Sequence, residues 1–286
     1  MNPALLLLTD SRLPAGGHAH SGGTEQAIAT GAVHDLASLA AFLRGRLHTS
    51  GHVAAALAAA TCALGGESRP EALGASWVLL DAEADARTAS PAQRAASRTQ
   101  GRLLLRVARR LWPSPTLDDL AAGPNLRHSV ALDDLALAVP NPHHPIALGA
   151  AAHAAGASPE DAALAAAYHA ITGPATAAVR LLGLDPVAVH GLLADLAPDL
   201  ATTASAATPS DLAPDLATTA SAATPSDLAP DLATTASDTT PSDLTATASD
   251  PPPYSRLWAE LPARSAPALD LLAERHAGAK VRLFVS

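Results

Sequence analysis

Apolar positions along this chain recur at helical spacing, and polar breakers divide them into segments. After Asp35, a candidate N-cap, Leu36, Leu39, Leu43 and Leu47 repeat every three to four residues. An alanine-rich stretch carries the pattern on to Gly65-Gly66, with Gly51 as a candidate interruption. Pro70 suits the first turn of the next helix, which bears Leu73, Trp77 and Leu80, turns acidic at Asp81, Glu83 and Asp85, and ends by Ser90-Pro91. From about residue 91 to 111, a helix sets Arg94, Arg98, Arg102, Arg106 and Arg110 at steps of four. Because a turn holds about 3.6 residues, that stripe winds slowly around the helix. It fits a solvated face, or ion pairs to the acidic end of the preceding helix, ahead of a docking strip for an acidic partner.

Beyond Trp112-Pro113 the sequence is turn-rich until Asn141-Pro142-His143-His144-Pro145 opens an alanine-rich helix closing near Gly156. Ser158-Pro159-Glu160-Asp161 combines an N-cap, a first-turn proline and a capping-box acid. The helix it starts is expected to reach about Thr172, where Gly173-Pro174 breaks it, with a further helix over residues 179–182. Leu192, Leu193, Leu196 and Leu200 continue one face and predict a helix over 187–205. Leu269, Leu271, Leu272 and His276 mark a last helix ending at Gly278. Residues 281–285 form a short apolar tail around Arg282, which is either a strap on its own body or an exposed hook for a partner.

Residues 195–210 read DLAPDLATTASAATPS, and this sixteen-residue unit returns unchanged at Asp211, nearly unchanged at Asp227 and truncated at Asp243. Each full unit offers two leucines, no aromatic and a Thr-Pro break, so neighbouring copies have little to bury against one another. Low hydrophobicity with uncompensated negative charge predicts disorder, although Ser210 and Ser226 could cap short transient helices. The first copy continues a helical face of the body and reads as the original; the later ones read as tandem duplications. The expected organisation is a body over 1–207, a low-complexity linker over 208–253, and a C-terminal helix and tail over 254–286 belonging to the same domain.

Hydrophobic residues make up 48% of the 286, but alanine supplies much of that and aromatics only 2%. Helices must therefore pack closely through Ala and Leu, and the scarcity of β-branched and aromatic residues favours an all-α fold: one compact domain of about eight to ten helices. The formal charge of −9 is local, because residues 195–250 hold nine Asp and no Lys, Arg or Glu, which leaves 18 acidic residues against 18 basic ones elsewhere. A balanced body gives no footprint for nucleic acid. Cys62 is the only cysteine, which precludes an intrachain disulfide. The apolar run Leu5 to Leu8 is too short for a signal peptide, and no stretch approaches the roughly 18 apolar residues of a membrane span. A soluble, cytoplasmic protein is expected.

The most specific stretch is residues 10–25, DSRLPAGGHAHSGGTE, with four glycines and a His-x-His pair. Gly16, Gly17, Gly22 and Gly23 argue for a shaped loop between two helices, with Ser21 as a candidate N-cap. Neutral imidazoles of His18 and His20 suit nickel or zinc, but two ligands make a weak site unless a dimer brings two loops together. For His20, holding the loop or touching a partner is the preferred role. His143 and His144 point about 100° apart if helical, a poor chelating geometry, so helix initiation is the expected job. No nucleophile elbow surrounds Ser21, Cys62 reads as a small core residue, and the sole lysine, Lys280, lies in no phosphate-binding loop.

Asp10, Ser11, Pro14, Gly16, His20, Ser21, Gly23 and Glu25 resemble the opening pattern of the urease accessory protein UreF family, with departures at His18, usually aromatic, and Thr24, usually leucine. Gln100-Gly101-Arg102-Leu103-Leu104, His143-His144-Pro145, Ala178-Val179-Arg180-Leu181 and Val281-Arg282-Leu283-Phe284 resemble later landmarks in family order. The resemblance implies a non-enzymatic all-α homodimer that bridges UreD (also called UreH) and the GTPase UreG while nickel, not stably held, is delivered to apo-urease. It further implies partner contacts at Pro14, Gly16, His20, Ser21, Gly23 and Glu25, at Arg180, and at Arg282, Leu283 and Phe284. The alternatives are a small metallohydrolase using His18, His20 and Glu25, and a generic α-helical adaptor.

Overall fold

A computed structural model describes residues 2–66, 70–122, 141–208, 261–279 and 282–284. The duplicated tract from 209 onward, Tyr254 and Trp258 lie outside the described residues, so the expectation of disorder there falls outside them as well. Among the described residues the chain is helical, without strands: α1 (Pro3–Leu8), α2 (Thr24–Ala29), α3 (Leu36–Arg46), α4 (His52–Leu64), α5 (Pro70–Ala86), α6 (Pro91–Leu111), α7 (Pro115–Ala122), α8 (His144–Ala154), α9 (Pro159–Leu182), α10 (Pro186–Asp195), α11 (Ala197–Ala206) and α12 (Pro267–Ala277).

Alanine decides the architecture. Helix α4 is buried along nearly its whole length, from Val53 through Leu64, and packs between α8 and α9. Those helices present Ala147, Ala150, Ala151 and Ala152 on one side and Ala162, Ala163, Ala166 and Ala167 on the other, all buried. Side chains this small let backbones approach closely. A Cβ at Gly149 would stand 2.3 Å from the Ala58 carbonyl, and one at Gly101 would stand 1.9 Å from the Pro142 carbonyl where α6 crosses the start of α8. Larger leucines fill the margins, with Leu39, Leu43, Leu47, Leu80, Leu104 and Leu117 fully buried.

Helix starts follow the sequence closely. Asp35 and Ser38 form a reciprocal capping box on α3, Ser158 and Asp161 form another on α9, and Ser90 caps α6 by accepting the Gln93 N–H at 3.1 Å. The breaks differ. Gly51 does not interrupt the chain: α3 passes into α4 through a π-helical turn over Leu47–Gly51. Together, Leu36–Leu64 run for 29 residues, long and apolar enough to cross a membrane by composition, yet 72% of that apolar window is buried in the body, as suits a core helix.

Gly173-Pro174 does not end α9 either, and the helix continues to Leu182 with Pro174 inside. Between 187 and 205 the structure has two helices, because Pro198 cannot extend α10 and instead starts α11, while Leu192, Leu196 and Leu200 still face the core. The segment after Trp112, expected to be turns, contains α7, whose Leu117 and Leu120 are buried. Helix α12 lies on the beginning of α6, where Glu274 accepts from Ser90 Oγ at 2.5 Å and the Ala92 N–H at 2.9 Å, and Asp270 accepts from Gln93 Nε2 at 3.1 Å.

Candidate functional site

The loop between α1 and α2 is shaped by its glycines and anchored by the body. Asp10 accepts the Arg12 N–H at 2.8 Å, and Arg12 pairs with the same carboxylate, which holds its pKa below the usual range on the exposed side. Pro14 is exposed; Gly16, at φ +78°, leads into a short 3-10 turn over Gly17–Ala19. The chain then dives inward: His20, Ser21, Gly23 and Thr24 are buried. Ser21 does not cap α2; that position belongs to Gly23, at φ +87°, in the left-handed region open to glycine. The side chain of His18 lies outside the described residues.

The anchor is Arg46. Pro174 has no N–H, so the carbonyl of Ala170, four residues earlier in α9, loses its helical donor. Arg46 Nε supplies one at 2.8 Å, and its Nη1 donates to the Gly22 carbonyl at 2.7 Å. Gly22 fits there because a Cβ would come within 3.1 Å of both the guanidinium and the Pro174 ring. Burial lowers the Arg46 pKa to about 10, which leaves the guanidinium charged at neutral pH. The π-helical turn begins one residue later, and the last residue of that turn, Gly51, packs near the Arg46 carbonyl and Ala170.

Glu25 binds the far end of the chain. Its Oε1 accepts the Leu283 N–H at 2.8 Å and its Oε2 the Phe284 N–H at 3.1 Å. Buried His276 stands with Nδ1 3.7 Å from the same carboxylate and Nε2 3.2 Å from the Phe284 carbonyl oxygen. The described tail residues are thus strapped to the body through their backbone, while Arg282 and Leu283 keep their side chains exposed, Leu283 at 77%. Arg180 is exposed in the last turn of α9, apart from these loop and tail contacts.

Behind the loop lies a cavity of about 360 Å³ lined in part by His20, Arg46, His143, His144, His169 and Arg264. The rings of His144 and His169 are 5.6 Å apart and tilted by 46°. Burial, helped by the neighbouring His169 and His20, holds His144 down at about 3; burial holds His169 at about 4 against a hydrogen bond with the Leu8 backbone. Burial also lowers His20. These imidazoles are therefore neutral at pH 7.

A tighter group, which the sequence reasoning did not assemble, sits at the start of α8. Donor atoms of Asp81, Asp85 and His143 lie within 4.8 Å of one another. Arg98 crosses them, with Nη1 2.8 Å from Asp81 Oδ2 and Nη2 2.5 Å from Asp85 Oδ2. The second Asp81 oxygen accepts the His143 N–H at 2.8 Å, and His143 shares hydrogen bonds with Asp85 at 2.8 Å and Ser97 at 3.0 Å. Every carboxylate oxygen is engaged and the guanidinium supplies the countercharge, so the group reads as an ion-paired joint between α5, α6 and α8. Its sequence signal was present in the i, i+4 pair Asp81/Asp85 facing the arginine stripe. His143 does initiate α8, as its N-cap residue. Cys62 is buried, its thiol pushed up to about 12 by burial, in keeping with a core residue.

Comparison with known proteins places these features in a family context. The UreF family model matches residues 33–197. The chain is 47% identical over 212 residues to the urease accessory protein UreF of Mycolicibacterium vanbaalenii, covering 71% of this chain and 84% of that one. It is 44% identical over 204 residues to the protein of the same description from Mycobacterium marinum, covering 71% and 83%, and 41% identical over 209 residues to that of Mycobacterium tuberculosis, covering 71% and 84%.

Proposed function

The chain belongs to the UreF family of urease accessory proteins, and from that premise we propose that it is a non-catalytic assembly factor for nickel insertion into apo-urease. In this reading a cytoplasmic homodimer bridges UreD (UreH) and the GTPase UreG, with nickel as cargo rather than resident cofactor. Coupling to GTP hydrolysis requires only that the dimer bind one nucleotide state of UreG better than the other.

The observation that carries the proposal is the Glu25 clamp. It joins two segments 258 positions apart into one surface, on which the tail backbone is fixed and the Leu283 side chain is presented outward. A carboxylate receiving two amides orients a short strap that otherwise has little to bury. Arg46 gives the loop beside it a fixed shape. Preorganisation of this kind lowers the ordering cost of binding.

The test is co-purification with UreD. Removal of residues 281–286 is expected to abolish it, and Glu25→Ala to weaken it, with helicity and thermal midpoint of the body retained. Undiminished recovery of UreD by the truncated chain would remove the tail from the interface.

A further inference from the structure

Helix α6 carries six arginines, and they fall into two groups. Arg94 and Arg98 face the acidic end of α5, where Arg98 is paired with Asp81 and Asp85 and Arg94 lies 3.8 Å from Asp85. Arg109 pairs with Asp118 of α7 at 2.8 Å. Arg102, Arg106 and Arg110 are exposed and meet no carboxylate among the described residues. At about 100° per residue, these three and Arg109 occupy an arc of roughly 100°, opposite the buried side formed by Gly101, Leu104, Leu105 and Ala108. One side of the helix is core, and the other is a cationic strip about 12 Å long in which Arg102, Arg106 and Arg110 have no carboxylate partner among the described residues.

The strip is continuous with the surface described above. Leu103, beside Arg102 and one turn from Arg106, packs against Gly16 so closely that a Cβ there would lie 2.8 Å from Leu103 Cδ1. Helix α12, which leads to the tail, covers the first turn of the same helix. We propose that the second half of α6 docks a carboxylate-rich surface of the partner protein that engages the loop and tail, an inference that rests on the assembly-factor reading. A second copy of this chain would bring arginine against arginine and is disfavoured by charge. Three exposed arginines on a helix whose own sequence holds no aromatic are also a poor fit for nucleic acid, which relies on stacking as well as charge.

The experiment uses the full chain with purified UreD. Arg102→Glu/Arg106→Glu/Arg110→Glu should weaken binding by about tenfold or more at low salt, and the corresponding triple Gln variant by less. Raising salt from about 0.05 to about 0.5 M should weaken wild-type binding, barely affect the Gln variant, whose charges are removed, and partly restore the Glu variant, whose new carboxylates are repelled until they are screened. The thermal midpoint should stay unchanged, as all three side chains are exposed. If truncation of 281–286 abolishes binding while the Glu variant binds normally, the strip proposal is overturned and the tail reading stands. If UreD does not bind the wild-type chain, both fall. A Glu variant that loses only affinity for a single-stranded oligonucleotide, with UreD binding intact, would assign the strip to nucleic acid and also overturn the proposal.

Discussion

Acidification should destabilise this protein well before its carboxylates titrate, through histidines that the fold shields from water, four of which line the cavity. His20, His52, His143, His144, His153 and His169 all have pKa values lowered in the fold, in each case mainly by burial. A buried neutral imidazole is released on unfolding and then binds a proton with its ordinary pKa of about 6.5. The unfolded state therefore holds more protons below pH 6.5. The stability these groups contribute is fully present above that pH and is lost as pH falls toward their folded values.

With His144 at about 3 and His169 at about 4, neither protonates appreciably in the fold at pH 5. Each then accounts for roughly 1.9 kcal/mol between pH 7 and 5, about 4 kcal/mol for the pair. Both rings keep some surface toward the cavity, so solvent screening makes this an upper value. Against the ~5–15 kcal/mol typical of a domain, the loss is large. Asp85 and Glu274, whose pKa values are lowered, add their own losses only below about pH 4, outside this window.

Urea unfolding followed by the fluorescence of buried Trp77 at half-unit pH steps reads this directly. Well below pH 6, replacing His169 by Leu should flatten the slope by about 1.4 kcal/mol per pH unit, the amount one proton contributes. A stability constant from pH 7 to 5, or an unchanged slope in the variant, would refute the assignment of neutral buried imidazoles.

Two glycines should respond to one methyl group with opposite signs. Gly101→Ala places a Cβ 1.9 Å from the Pro142 carbonyl and pushes on the His143 joint, so a loss of about 3 kcal/mol or more is expected in chemical denaturation. Gly45→Ala meets nothing within 4 Å inside α3 and should gain about 0.5–1 kcal/mol; equal effects would discredit the close-approach argument. Thr24→Val should stabilise by about 1 kcal/mol in the same assay, since the Thr24 hydroxyl is buried and has no hydrogen-bond partner among the described residues; a loss would show that the hydroxyl is satisfied.

Helix identity was legible because it depends on local signals: caps at Asp35 and Ser158, first-turn prolines, and leucines at helical spacing. Helix ends were less so, because tertiary contacts overrode the breakers. Pro198 did divide 187–205 into two helices, whereas Pro174 did not end α9. The difference lies in what meets the freed carbonyl, and at Ala170 that is the Arg46 guanidinium from 124 residues away. No window of sequence around Pro174 contains that partner. The Asp81–Asp85–Arg98–His143 joint was half legible for the same reason, since the pairing of charges on α5 and α6 follows from helical spacing but the arrival of His143 from α8 does not.

The loop shows what this means for function. Sequence reasoning treats Gly22 as a loop residue and Pro174 as a breaker, and gives Arg46 no role. In the fold they are one device: the proline frees a carbonyl, the arginine fills it, and its remaining donors hold the loop carbonyl where only a glycine fits. An arginine without a carboxylate partner is costly to bury, and carbonyl dipoles offset that cost only if both are in place. Retaining a proline in the middle of a 24-residue helix is thus tied to the shape of the loop, and the shape of the loop to the position of Glu25, which fixes the tail. The loop's glycines give it freedom in the unfolded chain; it is the core, through Arg46, that takes that freedom away.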